Sequence, residues 1–466
     1  MQPPGTNFGG NAALKPRHFY APRDETELLE ILARHAEEKI RAVGRLHSWN
    51  EALFGSDVLI DLRAFDRVNV HEEDDAPWAE VGAGCQIKRL LAELLRQGYT
   101  TMSQGLIKEQ VIAGAAATAT HGSGKHSLSH YIDGLRIARF DPRTGAPSVH
   151  EIHGGDELRA ARCSLGALGI VTSVRIPIRK VYHVEEHFRR YASLDEVLAA
   201  EEDFPLQQFY FVPWRWDFYV QHRREVDRPR SRLAPLYRLY WSVGMDVVYH
   251  WTVIALARWL PATVMKFYYR RLLPLLVPRG WKVVDRSDRQ LSMGHERFRH
   301  IETEIFVPRS KLAQTLEFVE SVLRYAAGER VKMPPEPQQV GDGWSERWGE
   351  LHNTYWHHYP ICIRKVLPDD ALLSMSCGDE PRYAISIISY AAASDRLGFV
   401  RVAQFLIDGL ARLCEGRPHW GKFGRLDRWE ADRLYPQLVI FREIANGADP
   451  QGRFRTKELQ ELLKAT

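Results

Sequence analysis

Ala42-Val43-Gly44-Arg45-Leu46-His47-Ser48 closes a short apolar run that begins at Ile40, and the reading of this 466-residue chain turns on it. A strand that ends in a glycine turn lets backbone N–H groups approach an anion with no side chain in the way. A second segment of the same character runs from Ile112-Ala113-Gly114 to Thr120-His121-Gly122-Ser123-Gly124. Either segment alone reads better as an ordinary tight turn. Outward from the first turn, Asp24 stands where it would cap a helix carrying Leu28, Leu29, Ile31 and Leu32 at helical spacing. Residues 58–62, 78–81 and 169–178 read as strands, and 87–97 as a helix closed by Gly98. This alternation of short strands and helices predicts an α+β fold. Beyond residue 181 the chain is richer in Trp, Tyr and Arg. There 209–212 and 218–221 read as paired strands, 301–307, 361–366 and 384–390 as further strands, and 310–327 and 398–413 as helices.

Composition narrows the class. Hydrophobic residues make up 45% and charged residues 26%, enough apolar material for folded cores and too much for a disordered chain. The length calls for at least two domains. Sixty-three basic against 59 acidic residues leave a net charge of only +4, which argues against a nucleic-acid partner, since phosphate binding needs a concentrated basic stripe. Five cysteines without CxxC spacing (Cys85, Cys163, Cys362, Cys377, Cys414) argue against a disulfide framework or structural zinc and for a reducing compartment, so a cytoplasmic location is expected. The opening residues have no apolar run of the secretory kind, so no signal peptide is expected. Gly82-Ala83-Gly84 lacks the third glycine of a dinucleotide fingerprint, and the run ending in Gly124-Lys125 is not a P-loop. His352, His357 and His358 cluster without an acidic or cysteine partner at ligand spacing, so no metal is expected.

Taken together and in order, these segments resemble the vanillyl-alcohol-oxidase type of FAD protein, and within it the aldonolactone oxidoreductases: the gulonolactone, arabinonolactone and alditol oxidases. Asn7-Phe8-Gly9-Gly10-Asn11 is similar to the opening arm of that family, and Val43-Gly44-Arg45-Leu46-His47-Ser48 to its Gly-x-x-His-Ser turn. Residues 109–114 with Thr120-His121-Gly122-Ser123-Gly124 resemble its second flavin loop, and 164–171 the segment closing on the adenosine half. Arg417-Pro418-His419-Trp420-Gly421-Lys422 resembles its near-C-terminal signature. The resemblance implies FAD, held covalently through His47, in a two-domain PCMH-type fold. The flavin unit would span 1–180 and recruit 416–466. A substrate (cap) unit, 181–415, would be an antiparallel sheet flanked by helices. It implies cofactor contacts at Val43, Gly44, Arg45, Leu46, Ser48, Gly114, Thr120, His121, Gly122, Ser123, Gly124, Gly166, Gly169 and Val171. Lys422 would set a positive charge beside the flavin N1–C2=O locus. The implied reaction is oxidation of an alcohol carbon in a sugar-1,4-lactone or polyol by hydride transfer to flavin N5, with O2 or another acceptor completing the cycle.

Two departures keep other readings open. The family carries Glu-x-Arg on a strand after a proline, both side chains on one face. Here the run is Pro360-Ile361-Cys362-Ile363-Arg364, so Arg364 is kept and Cys362 replaces the carboxylate. Cys362 is either a thiolate base favoured by Arg364 or a small apolar residue that makes room for a different substrate. His121 and His419 are the alternative bases. A non-sugar, membrane-borne alcohol and a flavin-fold binding protein that has lost catalysis both stay open. Ala119 stands where relatives have glycine, leaving oxidase and dehydrogenase open. Segment 233–281 is aromatic and basic, and reads either as an interfacial helix pair making peripheral membrane contact or as a buried helical hairpin.

Overall fold

His18–Tyr20, Val58–Asp61 and Ile40–Val43 form a parallel three-stranded sheet in that spatial order. The helix Glu25–Arg34 makes the first crossover. It starts at the predicted cap, where Asp24 accepts a hydrogen bond from the Glu27 N–H, and it buries Leu28, Ile31 and Leu32. The chain is described by a computed structural model over residues 5–51, 54–73, 76–278, 280–292, 299–336, 343–390 and 396–464. A second, six-stranded sheet has the order Val68–His71, Trp78–Gly82, Ile170–Lys180, Gly134–Phe140, Pro147–Ile152, with Tyr99–Thr101 paired to the far end of Ile170–Lys180. Its neighbours run antiparallel. The helices Arg428–Leu434, Leu438–Ala448 and Lys457–Leu463 pack their Leu434, Leu438, Phe441 and Leu459 into the same core as Leu94, Ile132 and Val174 of this region.

The third sheet has eight strands: Val283–Arg286, His183–Tyr191, Asp217–Val226, Gln208–Val212, Ile361–Val366, Arg382–Tyr390, His300–Pro308 and Arg417–Pro418. Every neighbouring pair is antiparallel. Successive strand residues face opposite sides, so composition assigns the two faces. Phe209, Phe211, Ile361, Ile363, Ile385 and Ile305 pack against Leu316, Val319, Phe399 and Leu406 of the helices Leu312–Ala326 and Arg396–Cys414. The intervening residues Gln208, Tyr210, Cys362, Arg364, Glu302 and Glu304 face a cavity instead. The fold is α+β, as expected, and among the described residues no sheet closes into a barrel.

Segment 233–281 is helical from Ala234–Val243 through His250–Trp259, turns at Pro261, and continues through Ala262–Phe267 to Leu273–Leu276. One face, with Tyr249, Val253, Met265, Tyr269 and Leu273, is buried against Val212, Trp214, Tyr219 and Tyr359. Tyr269 donates to the His358 carbonyl at 2.7 Å, and the Tyr249 and Tyr269 hydroxyls lie 2.6 Å apart. The inner face is packed as the buried-hairpin reading expects, while the outer face leaves Trp251, Trp259 and Leu275 exposed.

Candidate active site

A cavity of about 1000 Å³ runs from the Val43–Ser48 turn, across the polar face of the eight-stranded sheet, to the helices after residue 233. At the first end the backbone is tightly set. Leu46 takes a left-handed φ of 58° and turns the chain so that His47 follows on the cavity wall. Gly44 cannot be replaced by a larger residue without movement, since a Cβ there would lie 2.3 Å from Val111 Cγ2. Asn7 braces the turn by donating to the Ser48 carbonyl at 2.7 Å, and Phe8 stacks on the His47 ring with centroids 4.7 Å apart. His47 Nδ1 is buried without a hydrogen-bond partner among the described residues. Burial, then Arg45, Lys422 and His300, pushes the imidazole pKa down to about 4, so the ring is neutral and its nitrogen lone pair is available. Gly114, Thr120, Gly166, Gly169 and Val171 line the same end of the cavity. Gly169 has φ +133°, and a Cβ there would meet the Ala138 carbonyl at 2.7 Å, so only glycine fits.

The opposite wall is ionic. Arg364 Nη1 lies 3.6 Å from Glu304 Oε1, and Arg364 Nε donates to Gln208 Oε1 at 3.2 Å. His121 Nδ1 lies 2.9 Å from the Gly122 carbonyl, which turns its Nε2 toward Glu304 Oε2 at 3.5 Å. Lys422 is ion-paired with Glu302, and its ammonium lies 4.5 Å from the centre of the Trp49 ring. His419 accepts the Gly421 N–H at Nδ1 (2.9 Å), and burial lowers its pKa to about 3, so it is neutral. Burial works to raise Glu304, but His121, and then Lys422, outweigh it and hold the carboxyl at about 2. Glu302 is likewise held well below its ordinary value by Lys422 and His300, against the effect of burial.

The surroundings of Cys362 do not favour its thiolate. Burial raises the thiol, and the lowering by Arg364 is opposed by Glu304 and Glu302. A carboxylate stands on the same face of the sheet, on the next strand but one. Cys362 is in register with Ser386, and Ser386 with Glu304, so all three share one face of the sheet. Sequence reasoning missed Glu302 and Glu304, although two acids at i, i+2 within the apolar strand His300–Pro308 were a usable signal.

Gly122, Ser123 and Gly124 do not line this cavity. The Gly124 N–H donates to the Lys365 carbonyl at 2.7 Å, and Ser123 Oγ donates to the Gln207 carbonyl. This loop therefore ties the flavin-side chain to the eight-stranded sheet. Ala119, with φ 53°, packs in the core rather than on the cavity wall. The ligand atoms of His121, Glu304 and His419 all fall within 4.8 Å of one another, a spacing open to a metal ion. Arg364, and Lys422 beside Glu302, set cationic charge against that group, and Gly421 occupies His419 Nδ1, so the cluster is better suited to handling a proton.

An unpartnered buried imidazole, glycines held against neighbouring chain, and a long cavity suit an extended flavin dinucleotide. Comparison with known proteins agrees. Residues 178–462 match the family model "D-arabinono-1,4-lactone oxidase", and residues 16–141 match "FAD binding domain". A "Long-chain alcohol oxidase" of an uncultured marine euryarchaeote is 48% identical over 98% of this chain and 97% of its own. An "L-gulono-1,4-lactone dehydrogenase" of Mycobacterium tuberculosis is 25% identical over 99% of this chain and all of its own length. In fold, the chain is similar to the cholesterol oxidase of B. sterolicum, with TM-score 0.72 and 13% identity over 98% of this chain and 96% of that one.

Proposed function

Since the chain belongs to the D-arabinono-1,4-lactone oxidase family and is a FAD-dependent oxidoreductase acting on alcohol or lactone substrates, we propose that its own substrate is a long-chain aliphatic alcohol. The observation that carries this reading is the outer half of the cavity, where Leu239, Trp241, Val248, Leu273, Leu276 and Val277 offer an apolar chain a wall and a polyol few partners. The 48% identical relative, named for long-chain alcohols, supports it. So does Cys362, where a lactone oxidase would carry a carboxylate.

FAD held along the Val43–Ser48 end of the cavity would supply the hydride acceptor, and O2 is the proposed final acceptor. The remaining work falls to this chain. Arg364 holds the substrate oxygen and stabilises the charge that develops on it. The hydroxyl proton passes to the His121–Glu304 pair, whose imidazole is oriented by Nδ1 on the Gly122 carbonyl and Nε2 toward Glu304. Glu304, ionised throughout the working range, is a weak base but a strong counter-ion for the imidazolium that results. Lys422, held by Glu302, supplies positive charge to the flavin side of the cavity. His47, whose Nδ1 is buried without a hydrogen-bond partner among the described residues, would hold FAD covalently. The division into a flavin unit (1–180 with 416–466) and a substrate unit (181–415) belongs to this proposal.

The test is hydrogen peroxide release with linear primary alcohols of increasing length and with L-gulono-1,4-lactone. Each methylene buried adds about 0.8 kcal/mol, so kcat/KM is expected to rise by about a hundredfold or more from hexanol to dodecanol. A larger kcat/KM for the lactone than for any alcohol would overturn the proposal.

A further inference from the structure

Of the fourteen exposed large hydrophobic residues among those described, twelve lie between Leu233 and Leu276, leaving only Trp429 and Val439 elsewhere. Trp251 is 62%, Trp259 75% and Leu275 80% exposed. So dense an apolar patch on one helical element is unusual for a surface that meets only water. The same stretch is strongly basic. Between Arg232 and Lys282 the sequence has eight Arg or Lys and one acid, Asp246. Arg238, Lys266 and Lys282 are paired with Asp285, Glu329 and Glu185, while Arg258, Arg270 and Arg271 are exposed. Among the described residues no helix is long and apolar enough to cross a membrane.

The patch is also where the cavity opens. Leu239, Val248 and Leu276 are at once exposed (57%, 58% and 49%) and part of the cavity wall. An apolar chain would therefore pass from whatever covers this face directly into the site, without crossing water.

We propose that the helical face 233–276 docks on the surface of an anionic phospholipid bilayer, and that the alcohol enters the active site from that bilayer between Leu239, Val248 and Leu276. Aromatic and aliphatic side chains on the outer face enter the acyl boundary, and the exposed arginines meet the lipid phosphates. Entry from the lipid rests on the substrate reading above; docking itself does not.

The experiment uses flavin-loaded enzyme in flotation with vesicles of phosphatidylcholine alone or mixed with phosphatidylglycerol. Its variant is the triple Trp251→Ser/Trp259→Ser/Leu275→Ser, at positions that are exposed and off the cavity wall. Wild type is expected to float with anionic vesicles, less with neutral ones, and to release as salt rises. The triple variant should stay at the bottom. It should oxidise octanol in detergent as wild type does, but lose at least about tenfold of its rate on dodecanol embedded in vesicles. Wild type that stays at the bottom with anionic vesicles at low salt overturns docking, as does a stable dimer that buries the two tryptophans and ignores lipid. If the enzyme floats but turns over no long-chain alcohol, docking stands and the substrate reading falls. Equal rates for variant and wild type on vesicle-borne dodecanol overturn entry from the bilayer.

Discussion

At the scale of single residues, the site rests on partnerships between side chains far apart in sequence. Glu304→Gln keeps shape and hydrogen-bonding capacity but removes the counter-ion of His121 and Arg364. It should lower the rate of flavin reduction in single turnover by about a hundredfold, within the usual range for acid–base assistance, with flavin content unchanged. An unchanged rate would remove Glu304 from the mechanism. Cys362→Ala should alter that rate by no more than about threefold, because a thiol that burial keeps protonated is no base. His47→Ala should give protein whose acid-precipitated pellet is colourless, whereas the wild-type pellet stays yellow; a colourless wild-type pellet would reduce His47 to a non-covalent contact. His47 and Arg364 were legible as sequence because each sits in a local motif. Glu304 was not, because it reaches Arg364 only through a third strand, and sequence order does not say which strands become neighbours.

At the scale of elements, the flavin-side turn depends on one close approach. Gly44→Ala would drive a methyl into Val111, and overpacking of this kind costs about 1–3 kcal/mol. Adding Val111→Ala should restore part of the loss in chemical denaturation; if the double variant is no more stable than Gly44→Ala alone, the clash is not the cause. Periodicity and caps gave the helix after Asp24 and the strands near residues 40, 58 and 170, since those signals are local. The small residues after 111 gave no such signal, yet Ile112–Ala117 is a helix that ends in the left-handed Ala119. Its neighbours decide that conformation: Cys163 Sγ lies 3.5 Å from the Ala117 carbonyl, and the Leu165 N–H donates to it.

At the scale of the whole molecule, buried neutral histidines link stability to pH. Burial holds His130 at about 4, and His222 and His419 at about 3, against an ordinary value of 6.5. A depressed histidine binds its proton more readily in the unfolded chain, so stability is full above about pH 6.5 and falls as pH drops toward 4. Glu302 and Glu304, themselves depressed, lose their contribution only lower, once pH falls below their unfolded values near 4.5. Thermal midpoints should therefore decline steadily from pH 6.5 to 4, ahead of any carboxylate effect; a flat profile over that window would contradict the buried-neutral assignments.

The sequence by itself pointed to the cofactor class, because its glycine segments and the His47 turn stand in the order of a FAD family, and the family match agrees. It also determined that 233–281 is apolar and basic, which is a matter of composition. Only the tertiary structure sorted those residues between an inner and an outer face. It buried Tyr249 and Tyr269 and left Trp251 and Trp259 exposed. It also decided that Glu304 joins Cys362 beside Arg364, because the register of three antiparallel strands is set by long-range pairing that no neighbouring residues encode.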